Sequence, residues 1–362
     1  MSLLTDDFRS IVINNTPLLD VRAPVEFTQG SFVNAVNFPI LTDKERELVG
    51  IRYKANGNAA AMVLAEELIK QTGKQERVLQ WRAFIKENPS ALLYCFRGGQ
   101  RSGIAQAWLE EEGIAITRLN GGYKKFRNFL MEESERISSK LDTIIIGGRT
   151  GSGKTILLLE VENMIDLEGL ANHRGSSFGN FALSQPAQID FENNLAYKLI
   201  QFEEKGFSKL VIEHESHHIG RAFIPKPVFH NLMAGNLVIL ETPMDVRVDI
   251  THNEYVTEAI NSYTKMYGDD GFKEWSDDVN KSLEKIKKRL GSELHIELKK
   301  IFDEANQQYL LNRDIVLYKK WIEKLLVNYY DPMYDYQIKQ TAIPIVFRGN
   351  EKEVLAYIKS QD

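Results

Sequence analysis

The sequence has 362 residues, which at about 150 residues per domain predicts two or three domains. With 43% apolar and 26% charged residues it has the composition of a globular protein, which excludes a disordered chain. The longest apolar runs, at 143–146 and 237–240, are too short for a membrane span, and the N-terminus lacks the pattern of a secretory signal. The single cysteine, Cys95, excludes an intramolecular disulfide and a multi-cysteine zinc site. We therefore expect a protein of the reducing cytoplasm without membrane association.

Net charge at first argues against nucleic acid as a partner. The chain has 45 Lys and Arg against 50 Asp and Glu, a formal net charge of −5. An acidic total gives no overall attraction for phosphate backbones.

Up to about residue 129, short apolar strands alternate with amphipathic helices. Strands are predicted at 18–21, 33–38, 91–94 and 117–119, and helices at 59–71 and 102–112. This alternation indicates a mostly parallel sheet covered by helices. The charge-rich residues 132–140 then predict a linker or a short exposed helix.

The cysteine lies in a glycine-containing loop. Cys95 ends the strand at 91–94 and is followed by the sequence FRGGQRS and an amphipathic helix. Glycines let backbone N–H groups surround the sulfur, and two arginines with the helix N-terminus favour a thiolate. Taken alone, the loop fits a sulfurtransferase that carries sulfur or selenium, or a phosphatase of the C-x5-R type. The candidate site residues are the cysteine and those that follow it: Cys95, Arg97, Gly98, Gly99, Gln100, Arg101 and Ser102.

A second strand–helix series follows the charged stretch. Strands are predicted at 143–146, 209–212 and 237–240. After about residue 249 the sequence predicts mainly helices, followed by a last strand at 343–347. The sequence therefore predicts three parts: an α/β domain at 1–135, a second α/β domain at 140–248, and a helical C-terminal extension at 249–362 packed on the second domain.

Residues 148–155, GRTGSGKT, match the phosphate-loop pattern G-x-x-x-x-G-K-[ST]. An apolar strand runs into the loop, and ILLLEVENMI is predicted to continue from it as a helix, which is the order the motif requires. The loop predicts a bound phosphate or diphosphate and does not specify ATP. The predicted phosphate ligands are Gly148, Gly151, Ser152, Gly153, Lys154 and Thr155, the last of which could also hold Mg²⁺.

Acidic residues after the later strands are candidates to accompany the phosphate loop. Glu213 and Glu215 follow the strand at 209–212, and Glu241 is the rival after the strand at 237–240. Residues 214–218, HESHH, match the zinc-protease pattern H-E-x-x-H, which requires both histidines on one helix. Because a strand precedes them and a glycine and two prolines follow closely, we expect a loop and no metal centre.

Several segments together resemble a known family. Residues 19–27, 30–32 and 34–39, with the cysteine loop and LNGGY at 119–123, resemble a rhodanese domain. A rhodanese joined to a phosphate-loop domain, with LANHRGSSFG at 170–179, resembles the bacterial tRNA 2-selenouridine synthase family over residues 5–350. The resemblance implies an α/β fold in which a rhodanese-like domain precedes a parallel-sheet domain like that of P-loop NTPases and a helical extension.

The resemblance also implies a reaction and partners. The wobble 2-thiouridine of tRNA would be S-geranylated with geranyl diphosphate held by the phosphate loop. Selenium from selenophosphate would then replace the geranylated sulfur of the base. Cys95 would accept or deliver this selenium, and Arg97 and Arg101 would bind the phosphate oxygens. No tightly bound cofactor is implied, a selenophosphate-supplying enzyme is a candidate partner, and the oligomeric state is left open. His173, Arg174 and Ser176 are candidates for the alkylation or tRNA site.

Two points stay open at this stage. tRNA binding has to depend on local basic patches that the total charge conceals, such as residues 124–127 and the lysine-rich C-terminal helices, whose interleaved glutamates are also typical of a solvated surface. The alternative function is a P-loop kinase or NTPase with an attached rhodanese-type sulfurtransferase domain.

Overall fold

The computed structural model describes residues 3–361, which form two compact units. The cysteine unit comprises the chain up to Ile137 together with Ala187–Gly206, and the phosphate-loop unit comprises Ser138–Pro186 and the chain from Phe207 onwards. None of the helices in residues 3–361 is long and apolar enough to cross a membrane.

The cysteine unit is built on a five-stranded parallel sheet, as the strand–helix alternation predicts. The sheet order is β1-β5-β4-β2-β3, so β4 lies in the centre. Leu18, Leu19 and Leu93 are completely buried in its core. The strands are β1 (Leu4–Thr5), β2 (Leu18–Asp20), β3 (Ala35–Asn37), β4 (Leu92–Tyr94) and β5 (Thr117–Leu119). The helices before residue 139 are α1 (Phe8–Ile13), α2 (Pro24–Gln29), α3 (Asp43–Thr72), α4 (Lys74–Glu87), α5 (Gln100–Glu111) and α6 (Gly122–Ser138).

The rest of the chain contributes six strands and eleven helices among the described residues. The strands are β6 (Asp142–Gly147), β7 (Lys209–Glu213), β8 (His218–Ile219), β9 (Ala222–Phe223), β10 (Asn236–Leu240) and β11 (Ile345–Gly349). The helices are α7 (Lys154–Leu158), α8 (Leu167–Ala171), α9 (Gln188–Glu204), α10 (Lys226–Leu232), α11 (Met244–His252), α12 (Glu258–Tyr267), α13 (Gly271–Leu290), α14 (Ser292–Asn312), α15 (Tyr318–Leu325), α16 (Asp331–Gln340) and α17 (Glu351–Lys359). Two π-helical turns, Asn253–Thr257 and Leu326–Tyr330, interrupt the C-terminal helices.

The phosphate-loop unit has a four-stranded parallel sheet in the order β11-β10-β6-β7. The strand predicted near residue 345 is therefore present, and β11 adds the C-terminal region to this sheet beside β10. Helices α12 to α15 pack around a buried aromatic cluster that includes Trp275, Phe302, Tyr318 and Trp321. The predicted α/β class with a mostly helical C-terminal region is confirmed.

Two local predictions are wrong. The helix after the phosphate loop was expected to continue to residue 165, but α7 ends at Leu158, and Met164 instead forms a parallel β-bridge with Val211. The stretch 132–140 is helical up to Ser138, as one of the two predicted alternatives had it, but it is the end of the long helix α6 and neither a linker nor a short exposed helix. Ile137 is buried there and Arg136 forms an ion pair with Glu203, so this end of α6 is fixed by packing.

Helix α9 lies within the segment predicted as the second domain, yet it packs in the cysteine unit. Its apolar face is buried and includes Phe191, Leu195 and Leu199. Arg127 of α6 donates to Asn193 Oδ1 at 2.7 Å and also pairs with Glu192. The chain consequently passes between the two units three times.

We expect residues 1–140, produced alone, to be less stable than the same fragment joined through a flexible linker to residues 187–206. Each large apolar side chain of α9 that is buried stabilises the fold by about 1.5–3 kcal/mol. Urea denaturation followed by circular dichroism measures the difference, and a linked fragment carrying Phe191→Asp and Leu195→Asp is the matched control. Equal urea midpoints for the isolated fragment and the unaltered fusion would show that α9 is not part of this core.

Candidate functional site

Cys95 stands directly after the central strand β4, at the start of the loop that leads into α5. Its side chain is 3% exposed, and its thiol donates a hydrogen bond to Ser102 Oγ at 3.2 Å. The carbonyl oxygens of Cys95 and Phe96 accept the N–H groups of Tyr123 and Lys124, both at 2.9 Å, which fixes the loop to the start of α6.

The backbone of this loop has free hydrogen-bond donors. In the described part of the chain, the N–H groups from Arg97 to Ser102 donate to no other protein atom. Free N–H groups at a helix N-terminus are suited to an anion. The loop that begins at Cys95 therefore has the free donors that the predicted nest requires.

Gly122 is required for this loop to close. It has φ +59°, and a Cβ atom here would lie 2.2 Å from the carbonyl oxygen of Cys95 and 2.3 Å from the nitrogen of Gly98. No side chain fits in that space, which accounts for the second glycine of the sequence LNGGY.

The arginines of the loop differ in their contacts. Arg101 is held by Glu26 of α2, with Nη2 donating to Oε1 at 3.1 Å, whereas Arg97 is exposed and forms no ion pair among the residues described. Arg118 of β5 donates to the carbonyl oxygens of Gly98 at 3.1 Å and Gly99 at 3.4 Å. Sequence reasoning missed Glu26 and Arg118. The signal for Arg118 was a cation inside a predicted strand of the parallel sheet, where it needs nearby acceptors.

The phosphate loop connects β6 to α7 and lines a cavity of about 590 Å³. The side chain of Lys154 folds back so that Nζ donates to the carbonyl oxygen of Gly148 at 3.2 Å. Among the residues described, the backbone N–H groups of Gly151, Gly153, Lys154 and Thr155 have no protein acceptor. Ser152 is 4% exposed, and its Oγ also lacks a hydrogen-bond partner within residues 3–361. All six predicted phosphate ligands line this cavity.

Glu215 lines the phosphate cavity, and Glu213 and Glu241 do not. Glu213 is completely buried at the end of β7, where it accepts the N–H of Leu167 at 3.2 Å, and burial raises its pKa to about 8. Glu241 is exposed.

The partner of Glu215 is Glu168, which the sequence analysis did not identify. A Cβ atom on Gly175 would lie 2.2 Å from Glu168 Oε1 and 2.9 Å from Glu215 Oε1, so both carboxyl groups close over this glycine. Burial and the charge of Glu215 raise the pKa of Glu168 to about 9, although Lys154 opposes the shift. The two carboxyl groups therefore hold a proton between them at neutral pH.

The structure separates the three residues predicted from the sequence HRGS. Arg174 and Ser176 line the phosphate cavity, and His173 lines a second, neighbouring cavity. The Arg174 guanidinium lies over the ring of Phe181 at 4.0 Å, and Ser176 Oγ accepts the hydroxyl of Tyr255 at 2.8 Å. Burial lowers the pKa of His173, which keeps its ring neutral at pH 7.

Other cavity residues carried no signal in the sequence. Glu254 and Tyr255 come from one π-helical turn, and Tyr330 comes from the other. Such turns occur frequently at functional sites, but they have no periodicity by which a sequence reveals them.

The first four residues of the HESHH segment, 214–217, form a loop between β7 and β8, as expected, and His218 begins β8, so the segment is not a helix. Within residues 3–361, no group of three or more His, Cys, Asp or Glu side chains is arranged to hold a metal ion.

Comparison with known proteins agrees with both halves of this architecture. A family model described as a rhodanese-like domain matches residues 5–129, and one described as the tRNA 2-selenouridine synthase AAA domain matches residues 141–362. The chain is thus a rhodanese-like domain joined to a P-loop domain. A tRNA 2-selenouridine synthase of Sulfurovum sp. (strain NBC37-1) is 52% identical over 355 residues, which cover 98% of each chain. One of Hydrogenovibrio crunogenus is 44% identical over 362 residues, which cover 99% of each.

The chain belongs to the tRNA 2-selenouridine synthase family, a family of tRNA-modifying enzymes, and the resemblance drawn from its motifs is confirmed.

The Glu168–Glu215 pair makes stability depend on pH. Because the folded state keeps a proton on Glu168 up to about pH 9 and the unfolded state loses it near its usual value of 4.5, stability falls as pH rises between these values. We expect Glu168→Gln to lose less stability than the unaltered protein when the pH is raised from about 6 to about 8.5.

The measurement is the shift of the urea midpoint between the two pH values. Glu162→Gln, at an exposed position, is the matched control and should behave like the unaltered protein. An equal loss of stability in all three proteins would contradict the shared proton.

Proposed function

We propose that this protein converts the wobble 2-thiouridine of tRNA to 2-selenouridine in two steps. The sulfur is first alkylated with the geranyl group of geranyl diphosphate, and selenium from selenophosphate then replaces the geranylated sulfur. The observation that carries the proposal is that one chain has two glycine-containing loops with free backbone N–H groups, one beginning at Cys95 and the other containing Lys154.

In the first step, the phosphate cavity holds the diphosphate of the prenyl donor. The new carbon–sulfur bond forms as the carbon–oxygen bond to diphosphate breaks, and charge develops on the departing oxygens. Free N–H groups of the loop and the ammonium of Lys154 stabilise this charge without any hydrolysis of a nucleotide. Alkylation also turns a thiocarbonyl, which is a poor leaving group, into a thioether that can leave as a thiol.

In the second step, the Cys95 loop receives selenophosphate. A carbon–selenium bond to the base forms as the carbon–sulfur bond breaks and geranyl thiol leaves, and water cleaves the phosphorus–selenium bond, which releases phosphate. The N–H groups from Arg97 to Ser102 and the free guanidinium of Arg97 match a tetrahedral phosphate. Arg101 joins them by exchanging its contact with Glu26 for a phosphate oxygen. Ser102 holds the thiol in position at the edge of this nest.

A divalent cation fits the phosphate cavity. The Thr155 hydroxyl and the Glu215 carboxylate both line it, and oxygen atoms are the ligands that Mg²⁺ prefers. If Mg²⁺ is bound, it would supply further positive charge to the diphosphate. We further propose that the protein works in the cytoplasm and takes selenophosphate from the enzyme that makes it.

Two substitutions separate the steps. We expect Cys95→Ala to accumulate S-geranyl-2-thiouridine without 2-selenouridine. Lys154→Ala should slow geranylation by about 10²–10³-fold, the usual effect of removing one donor from a developing negative charge. The measurement is mass spectrometry of nucleosides after incubation with thiolated tRNA, geranyl diphosphate and selenophosphate.

Lys205→Ala, an exposed lysine after α9, is the matched control and should retain both activities. Loss of both steps in both site variants would contradict the division of labour. Rapid ATP turnover by the unaltered protein, with neither modified nucleoside formed, would favour the alternative, a P-loop kinase or NTPase with a rhodanese-type sulfurtransferase domain.

A further inference from the structure

A second cavity adjoins the phosphate cavity and has no role in the chemistry above. Its volume is about 910 Å³, and its walls come from the segment 172–185 and from helices α12 and α13. Gly175, Ser176, Ser177 and Arg289 line both cavities. A molecule bound in the second cavity therefore lies next to the phosphate cavity, on the other side of the turn formed by Gly175–Ser177.

The wall of this cavity is rich in cations, although the whole chain is acidic. Lys281, Lys285 and Arg289 are four residues apart on α13 and so share one face of the helix, and Arg221 is a fourth cation. Against these stand two carboxylates, Glu274 and Asp278. Asp278 already accepts hydrogen bonds from Asn180 at 3.1 Å and from the Tyr263 hydroxyl at 3.3 Å.

Among the residues described, these four cations form no ion pairs, whereas some of the lysines on α13 and α14 do. Lys287 of α13 is paired with Glu284 at 3.6 Å, and Lys300 of α14 with Glu304 at 3.9 Å, and neither lines the cavity. Lys273 and Lys288 of α13 also form no ion pair within residues 3–361 and do not line the cavity, so the cavity side is distinguished by a row of three unpaired cations on one helix face and not by unpaired charge alone.

Exposed aromatic and apolar side chains lie among these cations. Tyr267 of α12 is 42% exposed and lies 5.9 Å from the ring of Tyr263, and Leu183 is 65% exposed. Cations that follow a backbone, together with open aromatic faces on which bases stack, are the combination that binds single-stranded nucleic acid.

We propose that the second cavity binds the single-stranded RNA next to the nucleotide that reacts in the phosphate cavity. Lys281, Lys285 and Arg221 contact RNA phosphates and Tyr267 stacks on a base. The reacting nucleotide crosses the Gly175–Ser177 turn towards the phosphate loop. This inference rests on the proposed function, since it takes a tRNA as substrate. The alternative occupant is a prenyl chain. Because it is uncharged, it would leave the four cations of the cavity without a partner.

Binding of an anticodon stem-loop RNA tests the site. Fluorescence anisotropy over a series of salt concentrations compares three full-length proteins: the unaltered protein, Lys281→Glu/Lys285→Glu, and the control Lys287→Glu/Lys300→Glu, which changes the charge equally. We expect the cavity variant to bind at least about 10-fold more weakly at about 100 mM salt, and its salt slope to fall by about 1.4, at about 0.7 per lost phosphate contact. The control should bind within about threefold of the unaltered protein.

Calorimetric titration with inorganic pyrophosphate and with geranyl diphosphate gives the second readout. Both affinities should be unchanged in the cavity variant, which shows that the phosphate loop is intact. Equal RNA binding by the cavity variant and the control would overturn the inference. So would weaker binding of geranyl diphosphate with unchanged RNA binding, because the cavity would then hold the prenyl chain. If the unaltered protein does not bind the RNA at all, the proposed function fails as well.

Discussion

Backbone N–H groups without protein partners, at the ends of β4 and β6, are the feature on which both sites depend. Each strand is an interior strand of a parallel sheet, and each is followed by a glycine-containing turn and a helix. The first N–H groups of a helix have no acceptor within it, and the turns add further donors without protein partners among the described residues. Because such groups are costly to leave unpaired away from water, an anion is their natural partner.

The surroundings of the two loops then determine what each anion site can do. Around Cys95, contacts to Ser102 and to the start of α6 hold a buried sulfur beside the free donors. Around Lys154, the cavity is large enough for a diphosphate and its substituent. The carboxyl groups of Glu168 and Glu215 interact electrostatically with the ammonium of Lys154. In the proposed function, the same local design thus supplies the thiol of Cys95 in one unit and the positive charge of Lys154 in the other.

The sequence was sufficient wherever the signal is local. A strand, a glycine turn and a helix follow one another in the chain around Cys95 and around Lys154, so both loops and the parallel sheets could be predicted. It was insufficient where distant segments meet. Glu168 and Glu215 are 47 positions apart and approach each other only through the packing of α8 against the end of β7. Helix α9 carries an ordinary amphipathic pattern that does not indicate which core it joins. The early termination of α7 depends on the β-bridge between Met164 and Val211, a tertiary contact that overrides helix propensity.

Amide hydrogen exchange followed by mass spectrometry is the most direct test of the two anion sites, since it observes the N–H groups themselves. With pyrophosphate, the amides of residues 148–155 should exchange more slowly, and those of 95–102 should not change. With selenophosphate, slower exchange should appear at residues 95–102. If neither anion slows exchange in either loop, the free N–H groups are not anion sites, and the account of both reactions is wrong.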